Sequence, residues 1–225
     1  MKESTPVYKG FIIGISIYLL WLISLIFLLN QPIAEFSWWI IPAIFIQSHL
    51  YTGLFITAHD GMHGTISSNK RANKFLGFLC TASYALFSFK KLNVSHYKHH
   101  DFVGEDEDPD VHSKALIPWY FKFMFDYLSI FQLVGMAILF NALNVLFELP
   151  NLVLFWVVPA FLSTFQLFYF GTYVPHKGTP DNKHKSTTLS KNHFIAFITC
   201  YFFGYHYEHH DHPEVPWWEL YKYKA

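Results

Sequence analysis

Two long apolar runs with almost nothing between them decide most of what this chain can become. Residues 11–29 are apolar apart from Gly14, Ser16 and Ser24, and residues 36–58 form a second run of similar length after Asn30-Gln31-Pro32. About 20 apolar residues carry a helix across the hydrocarbon layer of a bilayer, and a backbone in lipid must satisfy its own hydrogen bonds. The pair therefore predicts two antiparallel transmembrane helices, with Trp38 and Trp39 as an interfacial anchor at the start of the second. Residues 128–147 and 152–174 predict a second pair, separated only by Glu148-Leu149-Pro150-Asn151. The stretches 75–89 and 194–205 are apolar but short, which predicts re-entrant or interfacial helices.

The expected fold class is thus an all-α integral membrane protein. It has four transmembrane helices, short interfacial helices and a single domain over residues 1–225. Charge is sparse: 14% of residues are charged, against roughly 25% in ordinary soluble domains. Met1 to Lys9 lead into the first run without a small-residue cleavage site, so that run is expected to remain as an anchor. Cys80 and Cys200 form no Cys-x-x-Cys pair, which argues against an iron–sulfur cluster or a redox dithiol. If both short segments return to the side they came from, residues 1–9, 59–127, 175–193 and 206–225 share one side. All 16 Lys and Arg lie in those stretches and none lies in the turns at 30–35 and 148–151. The positive-inside rule assigns that side, with both termini, to the cytoplasm, in a bacterium the cytoplasmic side of the inner membrane.

The same side collects the histidines. His96-Tyr97-Lys98-His99-His100 and His206-Tyr207-Glu208-His209-His210 each place three imidazoles at i, i+3 and i+4, on one face of a helical turn. His59-Asp60-Gly61-Met62-His63 adds two at i, i+4 directly after the second span, and His176 ends the fourth. Eight or nine convergent imidazoles exceed what one ion accepts, so two metal ions are expected; imidazole suits iron, copper, zinc and nickel alike. A histidine that follows a proline at a helix end can also act as a cap, and His176 is the ninth on the strength of its position beside the boxes. His49, His112, His184, His193 and His212 are expected outside the metal set. Carboxylates that could orient the rings adjoin the boxes at Asp60, Asp101, Glu208 and Asp211, and follow the second box at Asp108-Pro109-Asp110. Glu105-Asp106-Glu107-Asp108 is expected to be a solvated acidic loop, within and after which Asp108 and Asp110, held by the intervening proline, are the better candidates for orienting the rings.

These boxes resemble those of the membrane-bound di-iron desaturases and hydroxylases, the fatty-acid-desaturase-like superfamily. A finer resemblance, to the β-carotene ketolases, rests on Phe55-Ile56-Thr57-Ala58-His59-Asp60-Gly61-Met62-His63-Gly64, Asp108-Pro109-Asp110, Phe168 to His176, and Phe203 to His210 with Val215-Pro216-Trp217-Trp218. It covers most of the chain from about Trp38 to Trp218. Gly61 departs from the family, which commonly has alanine there.

The resemblance implies two non-haem iron ions held by His59, His63, His96, His99, His100, His176, His206, His209 and His210, with Asp60, Asp108 and Asp110 supporting them. It implies dioxygen as co-substrate and oxidation of C4 of a β-ionone ring, taking β-carotene through echinenone to canthaxanthin and zeaxanthin towards astaxanthin. An external donor such as reduced ferredoxin would supply electrons, with Lys90, Lys91 and Lys98 as a docking surface; no nucleic-acid partner is expected. The rival readings are a carotenoid ring hydroxylase or fatty-acyl desaturase of the same superfamily, a membrane zinc hydrolase and a metal transporter. Against the hydrolase, the chain contains no His-Glu-x-x-His. Against the transporter, the expected ligands lie on one face only.

Overall fold

The computed structural model describes residues 8–33, 35, 37–112, 115–188 and 192–224. The expected fate of Met1 to Val7 as part of an anchor lies outside them. Helix α1, Lys9–Leu29, and helix α2, Ile40–His63, are the expected first pair. α2 has 24 residues, a rise of about 36 Å at 1.5 Å per residue, and it is the central helix, packed against α1 and against the helices Lys70–Ala85 and Leu149–His176. It stops at Gly64, whose φ of 74° is the left-handed conformation that glycine adopts at little cost. That stop leaves His59 and His63 on the final turn.

Helix α3, Lys70–Ala85, starts at an Asn69 cap whose side chain accepts the Arg71 N–H. It ends where Leu86 takes a φ of 55°, and Ser88 then caps α4, Phe89–Asp101, which carries the second box. The expected short segment 75–89 is therefore one helix and the beginning of another. The final short segment, 194–205, is helix α8, His193–Cys200, followed by Tyr201 and Phe202 at positive φ and then α9, His206–Asp211, which carries the third box. A 3-10 turn, Trp217–Lys222, follows. Among the described residues there is no β-strand, only an isolated bridge between Thr188 and Tyr205.

The expected third span, 128–147, takes a different form. Leu116–Tyr127 is a helix, α5, and α6, Ile130–Leu143, leaves it at an angle of 87°. With 14 residues α6 rises only about 21 Å, less than the roughly 30 Å of a bilayer core. The bend has a local cause: the Ser129 hydroxyl accepts the Gln132 N–H, a side-chain cap that starts a new helix. Among the described residues three helices are long and apolar enough to cross a membrane, α1, α2 and α7, Leu149–His176; the bent pair α5–α6 is a fourth if it counts as one span.

Within α7, residues Val153–Val157 and Tyr169–Tyr173 are π-helical. Each widened turn precedes a proline, Pro159 or Pro175, which brings no N–H to the carbonyl four residues back; the helix widens there and does not break.

The two ends of the bundle are tied differently. At one end Asn151 donates from Nδ2 to the carbonyls of Leu28 and Gln31, at 3.0 and 2.8 Å, fastening the start of α7 to the end of α1. At the other end α2 and α7 finish side by side, at His63 and His176. The chain returns from the histidine end to Leu149 through α5 and α6, and Gln132 at the start of α6 donates to the Ala85 carbonyl at the end of α3, at 2.7 Å. The outward faces are apolar: Ile23 and Phe27 on α1 and Phe131 and Ile138 on α6 are all more than half exposed, the surface expected to meet lipid.

Candidate metal centre

Nine histidines from four elements meet at the end of the bundle where α2 and α7 finish. Four of them, His59, His63, His96 and His209, present one ring nitrogen each within 4.8 Å of one another; so do His99, His176, His206 and His210. His100 touches the first group through His209, with the two Nε2 atoms 3.0 Å apart. All nine are buried or half-buried.

The separations between nitrogens are those of donors around a shared centre. His99 and His210 meet through Nε2 at 3.1 Å, His176 and His206 at 2.9 Å, His206 and His210 at 3.0 Å, and His59 and His209 at 3.2 Å. Donors at right angles around an ion with metal–nitrogen bonds of about 2.1 Å lie about 3.0 Å apart. His63 and His96 are closer, at 2.6 Å.

Several rings are turned by fixed partners. The Nδ1–H of His99 donates to Asp108 Oδ1 at 2.9 Å, and that of His176 donates to the Lys185 carbonyl at 2.8 Å. In both rings Nε2 is then the atom facing the cluster, the arrangement that a hydrogen-bonded outer partner imposes on a metal-binding histidine. Burial, reinforced by neighbouring imidazoles, holds His96, His206, His209 and His210 well below the ordinary imidazole pKa, so they are neutral with lone pairs available. Burial opposes charge on His99 as well, but there the hydrogen bond to Asp108 and the Asp110 and Asp108 charges outweigh it and its pKa is raised.

The carboxylates divide by position. Asp108 is buried and takes four donors: His99 Nδ1, Gly104 N at 2.8 Å, Asp110 N at 2.8 Å and Val111 N at 3.3 Å. Burial pushes its pKa up, but His99 and these backbone N–H groups bring it below the usual carboxylate range. Glu105, Asp106 and Glu107 before it are exposed. Asp110 accepts the Tyr127 hydroxyl and faces the cavity described below. Asp60, 3% exposed, accepts the Trp217 N–H at 3.2 Å and lies 3.6 Å from His59 Nδ1, so it pins the C-terminal Val215-Pro216-Trp217-Trp218 segment to the first box. Asp101 is exposed, Asp211 pairs with His184 at 2.9 Å, and Glu208 accepts the Thr188 hydroxyl. His184 stays outside both nitrogen groups, as do His49, His112, His193 and His212.

Two partners escape a reading of side-chain motifs. One is the Lys185 carbonyl, a backbone group with no signature. The other is Tyr127, 17 positions from the Asp110 it binds.

An apolar cavity opens onto the histidines. Phe55, Met62, Leu92, Leu167 and Phe203 line it, and His59, His96, His99 and His206 form its inner end. The Phe203 ring packs edge-on against His59 at 4.9 Å and against His206 at 5.6 Å. Gly171 is required here: a Cβ at that position would lie 2.4 Å from the Phe203 ring.

A helical, membrane-type protein with two adjoining histidine clusters beneath an apolar cavity defines the class. The comparisons with known proteins supply the family. The fatty acid desaturase family model matches residues 36–138 and 113–225, and the chain belongs to that family. It is 42% identical over 217 residues to a zeaxanthin 4-ketolase of Chlamydomonas reinhardtii, a match covering 91% of this chain and 48% of that protein. It is 41% identical to a β-carotene 4-ketolase of Haematococcus lacustris, over 80% of this chain and 61% of the relative. A β-carotene ketolase of a Paracoccus species is 39% identical, over 76% and 73% respectively. The chain thus spans about half to three fifths of the length of the first two relatives. No solved structure matches it.

Proposed function

We propose that this chain is a dioxygen-dependent di-iron oxygenase that introduces a keto group at C4 of β-ionone rings in carotenoids. The observation that carries the reading is the pair of four-histidine groups, joined by His100, at the inner end of a cavity walled by aromatic and aliphatic side chains. The names of the relatives at about 40% identity supply the substrate class.

His59, His63, His96, His100 and His209 would hold one iron and His99, His176, His206 and His210 the other. An all-imidazole set suits iron but does not single it out; oxidation of the allylic C4–H bond by dioxygen requires a redox-active metal, which excludes zinc. Two iron ions held there would supply dioxygen activation. Asp108 and the Lys185 carbonyl hold the His99 and His176 rings in register, and Asp60 anchors the C-terminal turn against His59. Phe203, Leu167 and Met62 exclude water and orient the ring towards the histidines. In the first turnover a C4–H bond becomes C4–OH; one dioxygen, two electrons and two protons are consumed and one water is released. A second turnover at the same carbon gives a geminal diol, and loss of water leaves the ketone. β-Carotene would pass through echinenone to canthaxanthin. The zeaxanthin ketolase among the relatives supports acceptance of a hydroxylated ring as well.

The chain acts as one domain over residues 1–225 and crosses the membrane four times, by α1, α2, the bent pair α5–α6, and α7. The histidine end lies on the cytoplasmic side, where the lysines concentrate. The exposed Lys90, Lys91 and Lys98 beside the second box form a landing surface for an acidic electron donor such as reduced ferredoxin.

Expression in cells that make β-carotene tests the proposal. Canthaxanthin and echinenone are the expected products; a hydroxylated carotenoid without ketone, or no oxygenated carotenoid, contradicts it.

A further inference from the structure

The cavity over the histidines does not end at its own wall. A second apolar chamber, of about 230 Å³, adjoins it between α3, α6 and α7, and the two share Tyr84, Phe87, Met124 and Thr164. Its floor is the stacked pair Phe140 and Trp156, with ring centroids 6.1 Å apart. Its outer wall includes Leu133 and Phe161, which are 49% and 59% exposed on the apolar surface of the bundle, so the chamber reaches the lipid-facing side.

The hydroxyls at the junction are spoken for. Tyr84 lies 2.9 Å from Ser163 Oγ and 3.0 Å from Thr164 Oγ1, and Ser163 is bonded in turn to Thr52 at 2.9 Å. The hydroxyls are internally satisfied, so the wall that the two cavities share turns no unpaired hydroxyl towards either. A long apolar substrate whose reacting end fills the first cavity must put the rest of its length somewhere, and the second chamber adjoins that cavity and is lined mostly by apolar side chains.

We propose that this chamber is a binding subsite for the unreacted polyene arm of the substrate, entered sideways from the lipid between α6 and α7. Phe87 stands at the branch and limits which ends can reach the metal centre. It lines both chambers and also the groove at the surface between Leu86 and Gln132. The subsite rests on the carotenoid reading above and adds to it a demand for length. A substrate with one ring and a short tail uses the first cavity alone, whereas a long polyene uses both.

The test compares β-carotene with β-ionone, a single-ring probe, on the iron-loaded protein in membranes. Ala160→Leu and Met136→Phe each add a few carbons to the chamber from opposite walls and leave the histidines untouched. Iron content is measured alongside turnover. In both variants the ratio of β-carotene to β-ionone turnover is expected to fall at least tenfold with iron retained. An unchanged ratio, or equal loss of both activities at full iron content, overturns the subsite. Failure of the unaltered protein to oxygenate either compound would instead overturn the carotenoid reading itself, so the two failures are distinguishable.

Discussion

Asp108 is the side chain that fixes His99 within one of the two histidine groups, and replacing it makes a quantitative prediction. Its carboxylate accepts His99 Nδ1 and three backbone N–H groups, from Gly104, Asp110 and Val111. In Asp108→Asn the amide oxygen can keep His99, Asp110 and Val111, but its NH₂ then faces the Gly104 N–H. One donor is left unpaired, at a cost of about 1–3 kcal/mol. Asp108→Ala removes all four acceptor contacts, strands three backbone donors and frees the His99 ring to rotate. Loss of a hydrogen-bond partner behind a metal-binding histidine typically weakens the metal by about 10–100-fold. The expected result is graded: Asp108→Asn loses part of one iron to a chelator, and Asp108→Ala loses it at about 10–100-fold lower chelator concentration. The ion that His59, His63, His96, His100 and His209 would hold on the proposed reading should be affected less. Elemental analysis of detergent-purified protein across a chelator titration reads this directly. Retention of both irons by Asp108→Ala at wild-type chelator resistance would refute the assigned role.

Three further expectations follow from particular contacts. Gly171→Ala places a Cβ 2.4 Å from the Phe203 ring, and overpacking of that kind costs about 1–3 kcal/mol, so the melting temperature in detergent and the turnover should both fall. Burial raises the Asp110 pKa from 3.8 to about 6; ionised Asp110 therefore costs the folded state up to about 3 kcal/mol relative to the unfolded chain. A raised pKa means that the penalty is absent below pH 4 and grows as pH rises to about 6. Asp110→Asn should accordingly gain stability over the parent as pH rises through this window, and a difference in melting temperature that is flat with pH would count against it. His184→Ala, outside both nitrogen groups and paired with Asp211, should retain two irons, whereas His99→Ala and His210→Ala should lose iron and turnover.

What could be read from the residues followed from strong physical constraints. Nothing but helix satisfies an apolar backbone of 20 residues in lipid, so α1, α2 and α7 were legible from length alone. The i, i+3, i+4 spacing of the boxes put their imidazoles on single faces, and the structure brings those faces together. Asp108 and Asp110 could be named as supports from their position after the second box, but their different surroundings could not. One turns inward to His99 and the other towards the cavity, because the loop between Phe102 and Asp108 folds back on its own backbone. The bend between α5 and α6 was hidden because 116–147 is apolar throughout except for Lys122, Asp126 and a few neutral polar residues; its one local signal is Ser129 as a cap. The π-turns in α7 likewise had a signal, Pro159 and Pro175 inside an apolar helix, whose consequence depends on packing around them. The Lys185 carbonyl carried no signal at all, since any residue supplies one.

The central claim is that the two histidine groups hold two iron ions that oxidise a carotenoid ring. Metal content and product, measured on the same purified and active sample, test it most directly. Two irons per chain, with 4-keto product formed in proportion to iron, is the predicted result. Full activity with one metal ion per chain, or with zinc at full occupancy, would contradict it.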